Sequence, residues 1–389
     1  MIGEAPPLVS AIGVMSGTSM DGIDVAILSS DGENVVEPGP GATFSYPEET
    51  RAALRKIVGD PIAAREPLAE LERAVTDAHV AAVEAFIKEY AIDAKAVALI
   101  GLHGQTILHR PRERYTRQLM DGARAARRLG VNVVCDFRSA DVAAGGEGAP
   151  FVPLYHAAIS AAARRPLSIL NWGGVGNVTY LGAGGEIVAF DTGPANALID
   201  DFLLRRRGVP HDVDGALAAS GRVDQAILAA LMSDPYFELR PPKSLDRNHF
   251  HALAHAVDAL CDADGAATLA AFTVEATAAA GRFFAAPPLR WLVAGGGRRN
   301  RTLMAALRLR LAAPVDPIEA IGHDGDALEA HCFAYLAIRS HRDLPLSLPT
   351  TTGAPRAMSG GAHWRPRGSN KSRRRQALLN RDNRDSRSR

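Results

Sequence analysis

Two stretches of the 389-residue chain carry residues able to grip an anion through bare backbone. Residues 11–28 read AIGVMSGTSMDGIDVAIL and residues 168–181 read SILNWGGVGNVTYL. Each sets a turn rich in Gly, Ser, Thr or Asn between two apolar runs. That pattern is a β-hairpin whose tip presents N–H groups, and glycine lets a phosphate come close because it has no Cβ. The first loop, Ser16-Gly17-Thr18-Ser19-Met20-Asp21-Gly22, is longer than the two or three residues of an ordinary hairpin turn. The second is Asn171-Trp172-Gly173-Gly174-Val175-Gly176-Asn177. Neither is a Walker-type P-loop or a dinucleotide GxGxxG. Either could be a plain polar turn. Together they point to two related lobes holding a polyphosphate from both sides.

Further residues stand where strands give way to turns or helices. Phe190-Asp191-Thr192-Gly193-Pro194-Ala195-Asn196 puts a carboxylate at a predicted strand end, where ligands of α/β sheets collect. Asp191 is there either a helix cap or a general base. Ala294-Gly295-Gly296-Gly297-Arg298-Arg299-Asn300 gives a flat ring or a ribose room on the backbone, or is only a tight turn. Gly101-Leu102-His103-Gly104-Gln105-Thr106 offers His103, with His109 nearby in sequence. Arg138, in DFRSADVAAGGEGAP, either clamps a carboxylate through two parallel hydrogen bonds or pairs with Asp141. Glu329, in GDALEA, either meets a ligand or favours the dipole of the helix it opens.

The elements that must position these residues follow from periodicity. After the hairpin at 11–29 come a strand near 42–46 and an amphipathic helix over 67–90, with Leu68, Leu71, Val75, Ala78, Ala82 and Phe86 at three- and four-residue spacing. A buried strand over 96–104, a helix over 121–130 ended by Gly130 and a strand over 131–137 complete a first unit. The order restarts after Pro166: strands at 167–171, 176–181 and 186–190, helices at 195–205, 222–233, 249–261 and 266–284, a strand at 291–297 and a helix at 300–311. A last helix runs from Asp326 to Arg339. The repeat predicts an α/β protein of two duplicated lobes, residues 9–152 and 153–345, with 346–366 as a closing segment.

Composition bounds the rest. The chain is 47% hydrophobic and 22% charged, as a globular protein is, and no run reaches the ~20 apolar residues of a membrane span. The three cysteines, Cys135, Cys261 and Cys332, are scattered, which fits a reducing cytoplasm and no zinc site. The net charge of +1 hides a split: residues 367–389 hold nine Lys or Arg and two Asp, so the rest is net −6. The core therefore has no nucleic-acid signature, and the basic tail is expected to be disordered and dispensable.

Taken together, GVMSGTSMDGID, GLHGQT, DFRSADVAAGGEGAP, LNWGGVGN, DTGPAN, PPKS, VAGGGRRN and GDALEAHCFAYLAIR resemble the anhydro-N-acetylmuramic acid kinase family, from about Ile12 to Pro366. The family belongs to the sugar kinase, Hsp70 and actin superfamily. The resemblance implies two RNase-H-like lobes flanking an ATP cleft, a homodimer, and ATP with Mg²⁺ as cofactors. It implies phosphorylation of the amino sugar 1,6-anhydro-N-acetylmuramic acid while water opens the anhydro bridge. It makes Asp191 the catalytic base and Gly17, Thr18, Ser19, Met20, Asp21, Gly22, Ile23 and Asp24 the ATP phosphate loop. Asn171, Gly173, Gly174, Gly176, Asn177, Gly295, Gly296, Gly297 and Asn300 complete the ATP site. Arg138, Glu329, His103 and Asn196 are expected on the sugar. The chain departs from the family at Trp172, Ala195, Leu245 and Asp246, and Met15 stands where the superfamily often has a metal-binding Asp. The Mg²⁺ ligands are thus not identified. An ordinary sugar kinase of the superfamily and an Hsp70- or actin-type nucleotide switch are the alternative readings.

Overall fold

The computed structural model describes residues 6–17, 20, 22–245, 249–250 and 253–366. Thr18, Ser19, Asp21, Asp246 and the basic tail lie outside the described residues.

The first sheet grows from β1 (Val9–Ser16), β2 (Ile23–Ser30) and β3 (Val36–Phe44), an antiparallel meander. After α1 (Glu48–Arg55) and α2 (Ala69–Glu89), β4 (Leu99–Arg110) returns parallel to β1. It folds back on itself through β5 (Tyr115–Leu119). Helix α3 (Gly122–Leu129) is opened by the Asp121 carboxylate, which accepts from Arg124 N, and closed by Gly130 at φ 68°. Strand β6 (Asn132–Cys135) then joins β4 in parallel, followed by α4 (Ser139–Ala144). Successive residues of β1 point to opposite faces. Ile12 and Val14 pack with Val75, Val83 and Phe86 of α2, whereas Ala11 packs on the other face.

Helix α5 (Pro153–Ile159) leads to the second sheet. Strands β7 (Leu167–Trp172), β8 (Val175–Leu181) and β9 (Ile187–Pro194) repeat the meander. Helices α6 (Asn196–Arg207), α7 (Ala216–Ser220), α8 (Gln225–Met232) and α9 (Asp262–Ala279) follow. Strand β10 (Arg290–Ala294) runs parallel to β7, and after α10 (Arg301–Arg310), β11 (Val315–Pro317) runs parallel to β10. The strand orders are β6-β4-β1-β2-β3 and β11-β10-β7-β8-β9. They are one order used twice, so the fold is a duplicated RNase-H-like lobe.

The chain's end returns to the first sheet. Helix α11 (Leu328–His341) lies across β1, β2 and β4. A Cβ at Gly13 would stand 1.9 Å from the carbonyl oxygen of Ala330, and one at Gly101 2.2 Å from that of Phe333, so these two glycines let helix and sheet backbones touch. After α12 (Pro349–Thr352), β12 (Ala362–Trp364) pairs antiparallel with β6. Two segments expected in the second lobe and in a separate closing piece therefore build the first. The helix expected over 249–261 is a 3-10 segment at Leu253–Val257 among the described residues. β9 runs on to Pro194, so Asp191 sits inside a strand rather than at its end.

Candidate active site

A cleft of about 610 Å³ opens where the loop ends of both sheets meet. Asp24 and Thr43 line it from the first lobe, Asn171, Gly173, Gly295 and Gly296 from the second, and Glu329 from the start of α11. Asp24 accepts a hydrogen bond from Thr43 Oγ1 at 2.6 Å across the β2–β3 ladder.

The first loop is held by a residue that the sequence reading left without a role. Gln105 is fully buried. Its Nε2 donates to the carbonyl of Gly17 at 3.2 Å, while its Oε1 accepts from Ser16 Oγ at 2.8 Å and from Tyr46 OH at 3.1 Å. Ser16 Oγ also lies 3.2 Å from the carbonyl of Gly22. One carboxamide thus pins the base of the loop. The motif GLHGQT contained the signal, since a polar residue of one strand opposite the last residue of a parallel neighbour can reach the loop that follows it.

The second loop is held by the start of α6. Ala195 N and Ala197 N donate to the carbonyl of Gly174 at 3.0 and 3.2 Å, and Asn196 N donates to that of Gly173 at 3.0 Å. Asn196 Nδ2 donates to the carbonyls of Trp172 and Gly173, each at 2.9 Å. The Asn196 carboxamide nitrogen is therefore occupied by the loop. Trp172 is buried and its Nε1 donates to Thr277 Oγ1 at 3.0 Å, which anchors the loop in the second lobe's core.

The triple-glycine turn packs on that loop. Gly295 has φ +74°, and a Cβ there would lie 2.4 Å from Asn171 Oδ1; one at Gly297 would lie 2.6 Å from Trp172 Cβ. Asn300, expected on ATP, caps α10 by accepting from Leu303 N at 3.0 Å. Arg298 ties the turn to the Gly325-Asp326 segment: Nε donates to Glu319 Oε1 at 2.7 Å, Nη1 to the carbonyl of Gly295 at 3.0 Å, and Nη2 meets Asp326 Oδ1 at 2.9 Å.

Asp191 lies two ladder positions from the cleft-lining Asn171, in one row across the second sheet. Asn171 stands opposite Asn177 in the β7–β8 ladder, and Asn177 opposite Asp191 in the β8–β9 ladder. Directly opposed residues share a face of the sheet. Asp191 is bound on three sides by a later segment: its N–H donates to the carbonyl of Lys243 at 3.1 Å, its carbonyl accepts from Tyr236 OH at 2.6 Å, and its Oδ2 accepts from Leu245 N at 2.8 Å. Burial raises its pKa to about 7, opposed by the Leu245 N–H, reinforced by the charge of Glu147 and opposed again by Lys243. A carboxylate poised there is half-ionised near neutrality, as a general base requires.

Arg138 does not pair with Asp141. Asp141 instead accepts from Gly148 N at 2.8 Å, from Thr352 Oγ1 at 2.7 Å and from Ser347 Oγ. Arg138 Nε donates to His103 Nε2 at 2.9 Å and Nη1 to the carbonyl of Gly148 at 2.5 Å. His103 is neutral, because burial first and the Arg138 charge second hold its pKa well below the ordinary value. Burial also depresses the Arg138 pKa, against the opposing effect of the Glu329 charge. The structure therefore brings Arg138, His103 and Glu329 into one electrostatic neighbourhood.

The one strand order used twice, with loop ends from both lobes facing one cleft, defines the class of two-lobed α/β proteins that the sequence predicts. The model of the family "Anhydro-N-acetylmuramic acid kinase" matches residues 9–366. A protein of that name from Rhodospirillum rubrum is 54% identical over 363 residues, 93% of this chain and 96% of the relative. One from Paramagnetospirillum magneticum is 52% identical over 357 residues, 92% and 99% of the two chains. One from Methylobacterium nodulans is 50% identical over 375 residues, 92% and 100%. The chain belongs to the anhydro-N-acetylmuramic acid kinase family, and it is a kinase. Among the described residues no helix is long and apolar enough to cross a membrane.

Proposed function

We propose that this kinase transfers the γ-phosphoryl group of ATP to 1,6-anhydro-N-acetylmuramic acid while a water opens the anhydro bridge, giving N-acetylmuramic acid 6-phosphate and ADP. Family membership supports this substrate, and the buried Asp191 carboxylate supports the mechanism. Its carboxylate takes a proton from the water as the water oxygen bonds to the anomeric carbon. The bond from that carbon to O6 breaks, O6 bonds to the γ-phosphorus, and ADP leaves. A base with an ordinary carboxylate pKa would take that proton less readily; one raised to about 7 suits the task.

Arg138 and Glu329 serve the sugar in this reading, Arg138 toward the lactyl carboxylate and Glu329 toward a hydroxyl, with His103 as the neutral partner that orients Arg138. The loop ends bearing Gly17, Gly22, Gly173 and Gly174 serve the phosphates. Asn196 and Asn300 act by holding the second loop and capping α10 rather than by direct contact.

Among the described residues no three His, Cys, Asp or Glu side chains come together as a metal cage. Mg²⁺ would come with ATP, whose phosphates supply oxygen ligands of their own. The reaction is placed in the cytoplasm, in agreement with three free cysteines, and serves recycling of cell-wall sugars by a homodimer.

Product analysis by mass spectrometry and NMR tests the proposal. It requires a sugar 6-phosphate with an opened ring, formed in equal amount with ADP. A phosphorylated sugar with its ring unchanged would make the chain an ordinary sugar kinase, and ADP with free phosphate alone would make it a nucleotide switch.

A further inference from the structure

Lys243 is a buried cation without a part in the reaction as written above. Its residue surface is 9% exposed. Its Nζ donates to the carbonyl of Tyr236 at 3.0 Å and stands 4.3, 5.0 and 5.7 Å from the ring centroids of Tyr236, Phe283 and Phe190. Desolvation disfavours an ammonium group in such a place, and aromatic faces offset part of that penalty.

The backbone around this cation is the part of the molecule that holds Asp191. The carbonyl of Lys243 accepts from Asp191 N, the N–H of Leu245 donates to the Asp191 carboxylate, and Tyr236, whose carbonyl Lys243 grips, gives its hydroxyl to the Asp191 carbonyl. These bonds form a closed circuit: Asp191 to Tyr236, Tyr236 to Lys243, Lys243 back to Asp191. It runs along β9, the edge strand of the second sheet, where among the described residues no further strand holds the backbone. Segment 243–245 covers that edge, and the Lys243 side chain fastens it from beneath.

We infer that Lys243 is a positioning residue for the base: its caged ammonium anchors the Lys243–Leu245 strap to Tyr236 and thereby fixes the Asp191 carboxylate. The inference rests on the reading of Asp191 as the base. Among the described residues, Glu147 and Lys243 act on the Asp191 carboxylate through their charges, and Tyr236, whose hydroxyl bonds the Asp191 carbonyl, feels the Asp191 charge in turn. Loss of the ammonium removes a positive charge that favours the carboxylate, and a loosened strap weakens the Leu245 N–H bond that also favours it. Both changes act in one direction.

The test uses the full chain carrying Lys243→Met, Lys243→Arg or Asp191→Asn, each checked for folding by thermal unfolding. The readouts are kcat, both KM values and the pH dependence of kcat. Lys243→Met should lower kcat between about 10- and 100-fold, the range expected when a reacting group is misplaced by a change outside the chemistry. It should leave KM for ATP nearly unchanged and move the acid limb of kcat to higher pH. Lys243→Arg, which keeps charge and donors, should recover most of the rate. A folded Lys243→Met variant with parental kcat and an unmoved acid limb overturns the inference. So does a loss spread equally over kcat and KM for ATP with the limb unmoved, since that marks a purely structural lysine. If Lys243→Met does not fold, Lys243→Gln, too short to reach the same carbonyl, is read by the same criteria. Asp191→Asn separates the two levels: full turnover there removes the base itself, whereas loss there beside a parental Lys243→Met removes only the role of Lys243.

Discussion

Asn177 and Asp191 face each other directly across the β8–β9 ladder. Asn177 Oδ1 is buried and has no hydrogen-bond partner among the described residues. Asn171, the next residue in the row, lines the cleft. The proposed base is thus joined to the cleft-lining Asn171 by a polar row whose middle member keeps a buried acceptor without a partner among the described residues.

Asn177→Ala should therefore weaken ATP binding more than it weakens the fold. A buried acceptor without a partner carries a desolvation penalty of about 1–3 kcal/mol, so its removal should leave thermal stability equal or higher. KM for ATP should rise on the order of 10-fold, the effect of losing the Asn177 Nδ2 donor to a phosphate oxygen. A lower melting temperature with an unchanged KM would assign Asn177 to packing.

The rate should depend on pH through Asp191. kcat should rise with pH through about 7 as the carboxylate loses its proton. Glu147 supports the protonated form through its negative charge and is bound by Ser244 Oγ at 2.8 Å. Glu147→Gln should then move the acid limb to lower pH, opposite to the shift expected of Lys243→Met. A limb that stays in place in Glu147→Gln would show that the two carboxylates do not interact.

Arg138→Ala should raise KM for the sugar and leave that for ATP nearly unchanged. Its guanidinium is aimed by His103 and the carbonyl of Gly148, and Asp141 is committed elsewhere. A lost charge-assisted hydrogen bond to the lactyl carboxylate, about 1.5–3 kcal/mol, corresponds to roughly a 10- to 150-fold change. An equal rise in both KM values would return Arg138 to a structural role.

Much of this arrangement was legible in the sequence because it is local. The two hairpins, α2 with its apolar stripe and α3 with Asp121 and Gly130 at its ends follow from periodicity and capping. Contacts between distant segments were not. Nothing in the order of residues says that α11 crosses to the first sheet, although Gly13 and Gly101 are small because it does. Strand β5, YTRQL, is short and largely polar, and its partner is the outer half of β4, so it has no apolar alternation to reveal it. The 3-10 segment at Leu253–Val257 carries the spacing of a helix without its length. At the site, the glycines and Asp191 were visible as strand-end chemistry. Gln105, Arg298 and Lys243 were not, because Gln105 acts on the loop at Gly17, Arg298 on Glu319 and Asp326, and the Lys243 backbone on Asp191, all distant in sequence.

Asp191→Asn tests the proposed base in one protein by two readouts. Turnover should fall on the order of 10²–10⁴-fold while ATP affinity is kept. Stability should change in the opposite sense. The folded protein holds the Asp191 proton more tightly than the unfolded chain, with a pKa near 7 against 3.8. The associated stability is complete below about pH 4 and is lost as pH rises through about 7. Asparagine removes that loss, so the variant should melt higher than the parent at pH 8, with less difference at pH 5. An inactive, ATP-binding variant that is more stable at pH 8 is the predicted result. Near-parental turnover, or inactivity accompanied by a lower melting temperature at pH 8, would contradict the account.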